Sequence, residues 1–139
     1  MEQLQALLAV LDDGVIAQPA ADRVVAACGQ PGPVSGSVTH AAGEQISTYH
    51  RLNVRLRQLP VNDEFGELKD RAGRLLAYHQ WILHQAVNLV GAGVHPDSRV
   101  EAARQRLHGL GRPGDGLRQL RDEVRDLAEQ VRAQETAAP

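Results

Sequence analysis

The chain has 139 residues, which is enough to bury a core without disulfide bonds. Its one cysteine, Cys28, has no partner within the chain, and this favours a reducing, cytoplasmic setting. Its 15 basic residues are offset by 17 acidic ones, so it lacks the positive excess of most nucleic-acid-binding domains, and we expect no nucleic-acid partner. No basic residue precedes the first apolar run, so we expect no signal peptide. The uncharged stretch 75–96 holds too many His, Gln and Asn residues to cross a membrane, so we expect no membrane partner.

The N-terminal part of the chain predicts two helices within residues 1–28. Leucines recur at intervals of three and four residues over 2–16, which is the spacing of one buried helix face. Pro19 then suits the first turn of a second, shorter helix, because its missing amide is not needed there. Gly29 is predicted to end that helix, and the glycine and proline content of 29–36 predicts a loop.

An antiparallel hairpin of about 37–59 and 62–92 forms the centre of the predicted fold. Pro60 ends its first helix, and Asn62 is predicted to cap its second. The link between them is short, so the two helices are expected to lie side by side in opposite directions. Apolar residues at alternating intervals of three and four give the second helix a heptad seam, which is typical of helical bundles. The predicted seam comprises Phe65, Leu68, Ala72, Leu75, His79, Ile82, Ala86 and Leu89.

Glycine and proline residues divide the C-terminal part of the chain. Gly91 and Gly93 are predicted to end the second hairpin helix, and Pro96 to begin a short fifth helix. The sequence GRPGDG at 111–116 predicts a sharp break. A final helix follows, with leucine and valine at heptad spacing and a frayed tail at 135–139.

These elements predict an all-α fold, a helical bundle of four to six helices built on the antiparallel hairpin. No segment shows the alternation of apolar and polar residues that would indicate a β-strand. We assign the whole of 1–139 to a single domain, whose bundle occupies 37–134.

Residues 75–90, LLAYHQWILHQAVNLV, carry no charged side chain on any side of the predicted helix. A helix that is neutral all round is usually surrounded by protein. This segment is therefore predicted to be enclosed, either by the N-terminal helices or by a second copy of the chain, and a homodimer or another protein partner is expected. The candidate interface or buried polar residues are Tyr78, His79, Trp81, His84 and Asn88.

Two of these residues have more specific predicted roles. His79 lies in the apolar seam, where a neutral imidazole is expected to hydrogen-bond to Tyr49 or Asn53 on the preceding helix. Trp81 is either the anchor of an interface, where tryptophan is enriched, or a cover over the core beneath the N-terminal helices. The sequence leaves these two interpretations of Trp81 open.

We predict no catalytic residue, metal or cofactor. Carboxylate-bridged metal sites in helical bundles use Glu-x-x-His, and the residue three before each histidine is never Glu. The nearest arrangement is His40 with Glu44, one helical turn apart, joined by His84 from another helix. A small-ligand or metal-binding bundle that uses His79 or His84 is retained as an alternative function.

The six residues Arg74-Leu-Leu-Ala-Tyr-His79 have the Arg-x4-His spacing of the HEPN family, small all-α dimeric ribonucleases, which the chain resembles at this point. The resemblance implies that Arg74 and His79 line a dimer cleft and cleave RNA without a metal. The chain has Leu75 where the family usually has a polar residue. The function predicted from the sequence is thus non-enzymatic protein–protein contact with self-association, and an HEPN-like ribonuclease is the third alternative.

Overall fold

The computed structural model describes residues 1–91 and 98–137, of which 87% are helical and none lies in a strand. The all-α prediction is therefore confirmed. The helices are α1 (Glu2–Cys28), α2 (Gly36–Gln58), α3 (Gly66–Gly91), α4 (Ser98–Gln105) and α5 (Gly111–Ala137), with a short 3-10 turn at Asp63–Phe65 before α3.

The four long helices pack against one another around a common core. α1 contacts α2, α3 and α5, and α3 also contacts α2, α5 and the short α4. Fully buried leucines come from all four long helices, and Leu107 and Leu110 add to this core from the segment between α4 and α5. Among the described residues, no helix is long and apolar enough to cross a membrane.

The prediction of two N-terminal helices is wrong, because α1 continues through Pro19. Proline has no amide hydrogen, so the carbonyl of Val15 loses its usual helical partner. The core contacts on both sides of Pro19 outweigh this loss: Leu11 and Val25 are both fully buried. Tertiary packing of a long apolar face routinely overrides the local preference of one residue.

The α2–α3 hairpin forms as predicted, but Asn62 does not cap α3. Asn62 precedes the 3-10 turn and makes no side-chain cap. Its side-chain oxygen instead accepts a hydrogen bond of 3.3 Å from the amide nitrogen of the Gln3 side chain. Its backbone N–H donates to the other end of that amide, Oε1 of Gln3, at 2.7 Å. The residue at the turn thus ties the hairpin to the beginning of α1.

The seam of α3 is wider than the predicted one and centred differently. Leu76 and Leu83, which lie outside the predicted seam, are completely buried, whereas Leu75 and Ile82 of that seam are only partly buried. The reason is that α3 packs against α1, α2 and α5 together, so it buries a broader face than a two-helix seam does. The buried residues of α3 are Ala72, Leu76, His79, Leu83 and Ala86.

The predicted break at 111–116 is also wrong, because α5 begins at Gly111 and includes that segment. Pro113 lies in the first turn, where no amide hydrogen is needed. Gly114 and Gly116 lie where packing is tight: a Cβ atom at Gly114 would lie 3.1 Å from Cβ of Leu110. These glycines allow close approach and do not end a helix.

The predicted ends of the remaining segments have three outcomes. The loop at 29–36 corresponds to the structure, in which α2 begins at Gly36 and the hydroxyl of Ser35 accepts a hydrogen bond from the amide of Val38. The tail predicted to fray is helical as far as Ala137. The predictions made for Gly93 and Pro96 lie outside the described residues.

Arg104 of α4 closes the C-terminal end of α1, which the sequence analysis did not predict. Its guanidinium is buried and donates to the carbonyls of Cys28 at 2.7 Å and Gln30 at 2.8 Å, and also to that of Gly32. The last carbonyls of a helix have no partner within the helix, so Arg104 satisfies that of Cys28 together with two carbonyls of the loop that follows α1. Burial raises the pKa of the Cys28 thiol, which favours its neutral form.

Candidate interaction face and buried polar network

His79 is fully buried in α3, and both of its ring nitrogens have partners. Nδ1 lies 2.6 Å from the carbonyl oxygen of Leu75, which only accepts, so Nδ1 carries the proton. Nε2 lies 3.0 Å from the amide nitrogen of the Gln18 side chain and accepts from it. The imidazole is thus neutral, and its burial lowers its pKa.

The partners predicted for His79 were wrong, because the hydrogen bonds go to α1 and to its own helix. The ring of Tyr49 does lie against the imidazole, with a centroid separation of 5.0 Å. The hydroxyl of Tyr49, however, donates to the carbonyl of Gly14 at 2.9 Å. Tyr49 therefore packs against His79 without hydrogen-bonding to it, and fixes α1 to α2 instead.

Gln18 is the centre of the buried polar network. Its side chain is 2% exposed, and its amide nitrogen also donates to the carbonyl of Gly114 at 2.9 Å. Its oxygen accepts from the guanidinium of Arg118 at 2.8 Å, and Arg118 in turn pairs with Asp115 near the surface. The amide thus uses both of its hydrogens and its oxygen, joining α1, α3 and α5. Because the imidazole nitrogens of His79 are occupied, the side chain is not available to a metal or haem in this arrangement.

Gln18 is not among the predicted site residues, because the sequence pattern places a helix boundary at Pro19. When α1 is read as one helix, the buried positions recur at intervals of four and three, and Gln18 belongs to that series. A polar residue at a core position of a continuous heptad would have identified it. The buried series in α1 is Leu4, Leu7, Leu11, Gly14, Gln18, Ala21, Val25 and Cys28.

The opposite side of α3 forms an exposed strip, which we call the α3 outer face and define as Arg74, Ala77, Tyr78, Trp81, His84 and Asn88. Trp81 lies at its middle and is 53% exposed, and its ring centroid is 5.5 Å from that of the partly buried Tyr78. Neither α1 nor α2 covers the side chain of Trp81. The predicted enclosure of 75–90 therefore does not arise on this side within one chain.

Arg74 lies at one end of the α3 outer face, beside two shallow grooves. One groove, of about 510 Å³, separates α2 from α3, and the other, of about 370 Å³, separates α3 from α5. Arg74 is exposed, whereas His79 is buried and bonded to Gln18. The structure therefore does not bring the Arg-x4-His pair to one surface of the chain.

The histidines considered as metal ligands lie apart from such a site. His40 and Glu44 form an exposed pair, with 3.0 Å between Nε2 and Oε1, one turn apart on α2. Among the described residues, no group of three or more His, Cys, Asp or Glu side chains is placed to hold a metal ion. His84 lies on the α3 outer face and does not complete a set with them.

No protein-family model, no curated protein and no solved structure matches the chain. The resemblance to the HEPN family therefore rests on six residues.

Proposed function

We propose that the protein is a non-enzymatic interaction module of the cytoplasm, which self-associates through the α3 outer face. The observation that supports this proposal is Trp81, a large apolar side chain 53% exposed in the middle of a helix segment without charge. Tryptophan is enriched among the residues that dominate binding energies at protein interfaces. Charged side chains are depleted at the centres of such interfaces.

A second copy of the chain suits this face because the face can pair with itself. Most homodimers use the same patch on both subunits, related by a two-fold axis. If two α3 helices pair in antiparallel orientation about Trp81, Arg74 of one copy lies opposite Asn88 of the other, since each is seven residues from Trp81. No like charges then oppose each other, and the arginine gains an amide oxygen as an acceptor.

Ile16, on α1, gives a contrast to Trp81. Among the residues that the structure describes, it is the other large hydrophobic residue that is exposed, at 74%, but the preceding turn of α1 is charged. Asp12 pairs with Arg121, and Asp13 pairs with Arg55. A single apolar side chain among ion pairs is normal for a protein surface, so Ile16 serves as a matched control for Trp81.

Sedimentation equilibrium over a range of concentrations tests the proposal. We expect the wild-type chain and the Ile16→Ala variant to show the same monomer–dimer equilibrium. Trp81→Ala should weaken it by about 2 kcal/mol or more, a typical loss at a binding hot spot. A wild-type chain that stays monomeric at every concentration, or a dimer that Trp81→Ala leaves intact, would refute self-association through this face.

A further inference from the structure

A groove of about 580 Å³ lies at the other end of the bundle, between the last part of α1 and the segment that leads into α5. It does not include any residue of the α3 outer face. Basic residues from two distant parts of the sequence meet there. Its lining residues are Asp22, Arg23, Ala26, Arg106, His108, Gly109 and Gly111.

The two arginines that line this groove form no salt bridge with the described part of the chain. Six arginines of the described chain are paired with carboxylates. Arg23 and Arg106 are exposed, and neither has a carboxylate partner among the described residues. An anion bound in the groove would be attracted to both guanidinium groups.

The one acidic residue in the groove is already engaged by the backbone. Oδ1 of Asp22 accepts a hydrogen bond of 2.6 Å from the amide of Leu110. The same oxygen would lie 2.7 Å from a Cβ atom at Gly109, so the carboxylate is held against the backbone of this segment. Asp22 therefore joins α1 to the segment that leads into α5, and it forms no salt bridge with either of the two exposed arginines.

We propose that this groove binds a small phosphorylated molecule, with Arg23 and Arg106 holding the phosphate group and His108 beside it. The planar guanidinium donates two parallel hydrogen bonds to phosphate oxygens and keeps its charge at any physiological pH. The volume falls in the range of small-molecule sites and leaves room for an organic group attached to the phosphate. Ala26 has a small side chain and Gly111 has none, so the ligand can lie close to the backbone at these two positions.

Isothermal titration of the full chain with pyrophosphate, at constant ionic strength, tests this site. We expect saturable binding that Arg23→Gln and Arg106→Gln each weaken about tenfold, the effect of losing about 1.4 kcal/mol. Arg132→Gln is the matched control, because Arg132 is also exposed and has no ion-pair partner among the described residues but lies near the end of α5. This variant should bind as the wild type does.

Three results would overturn the proposal. The first is the absence of saturable pyrophosphate binding. The second is binding that both groove variants retain at wild-type strength, with circular dichroism showing all variants folded. The third is binding of a short single-stranded oligonucleotide without binding of pyrophosphate, which would indicate a nucleic-acid surface. If one groove variant fails to fold, binding by the other variant still tests the site, because the two arginines belong to separate segments.

Discussion

The side-chain amide of Gln18 lies 3.0 Å from Nε2 of His79, across 61 positions of sequence and between two different helices. The contact is buried, and the same amide bonds to α5 through the carbonyl of Gly114. A buried polar group without a partner is costly, so this network is stable only when α1, α3 and α5 are in the correct register. Gln18 therefore helps to specify one arrangement of the bundle as well as to stabilise it.

Gln18→Leu should destabilise the fold by about 1–3 kcal/mol, although leucine is similar in size and apolar. The substitution leaves Nε2 of His79 and the carbonyl of Gly114 buried without their donor, and it removes the acceptor of Arg118. Urea unfolding followed by circular dichroism measures the change in free energy of unfolding.

The matched control is Gln130→Leu, at an exposed position of α5. Surface substitutions of this kind usually change stability by less than about 0.5 kcal/mol. If Gln18→Leu were as stable as the wild type, the network would have no net energetic role, and the register of the bundle would depend on the leucine core alone.

The pH dependence of stability should report the burial of His79. Burial lowers the pKa of His79 in the folded chain, whereas the unfolded imidazole has its ordinary pKa of about 6.5. Between the two values the unfolded chain binds a proton that the folded chain does not. The free energy of unfolding is therefore highest above about pH 6.5 and falls as the pH drops below it, with a limiting slope of about 1.4 kcal/mol per pH unit.

Urea unfolding of the wild type and of His79→Gln at a series of pH values isolates this contribution. The variant should be less stable at neutral pH but should lose less stability on acidification, because it has no imidazole to protonate. His84→Gln removes an exposed histidine from the same helix and should keep the wild-type slope. Equal slopes for the wild type and His79→Gln would assign the acid sensitivity to other groups.

The α2–α3 hairpin could be predicted from sequence because its signals are local. Pro60 and the short link decide where α2 ends and how α3 returns, and both act within a few residues. The errors at Pro19 and at 111–116 have the opposite origin. There, proline and glycine predict an interruption locally, but a leucine-rich core brought together from distant helices keeps the chain helical.

The candidate sites show the same difference between local signals and long-range packing. Heptad spacing placed His79 in the seam of α3 and left Trp81 outside that seam, since both positions follow from the period of one helix. The hydrogen bond from Gln18 to His79 depends on how separate helices pack. The same is true of the groove that both Arg23 and Arg106 line. A single sequence contains no direct signal for such contacts.

Glycines inside the helices should respond oppositely to alanine, according to the space around them. Gly43 of α2 has no atom within 4 Å of an added Cβ, so Gly43→Ala should stabilise the fold by about 0.5–1 kcal/mol through helix propensity. Gly14 of α1 is buried, and an added Cβ would lie 3.2 Å from methyl groups of both Leu76 and Leu117. Overpacking of a core costs about 1–3 kcal/mol, which exceeds the gain in helix propensity.

Gly14→Ala should therefore lower the midpoint of urea unfolding, whereas Gly43→Ala should raise it. Both substitutions add the same methyl group, so each variant is the control for the other. Because the carbonyl of Gly14 accepts the Tyr49 hydroxyl, a shift of α1 would also lengthen that 2.9 Å hydrogen bond. A Gly14→Ala variant more stable than the wild type would mean that the leucine methyl groups move aside without cost. The close contact of α1 with α3 and α5 at this position would then not be the reason for glycine.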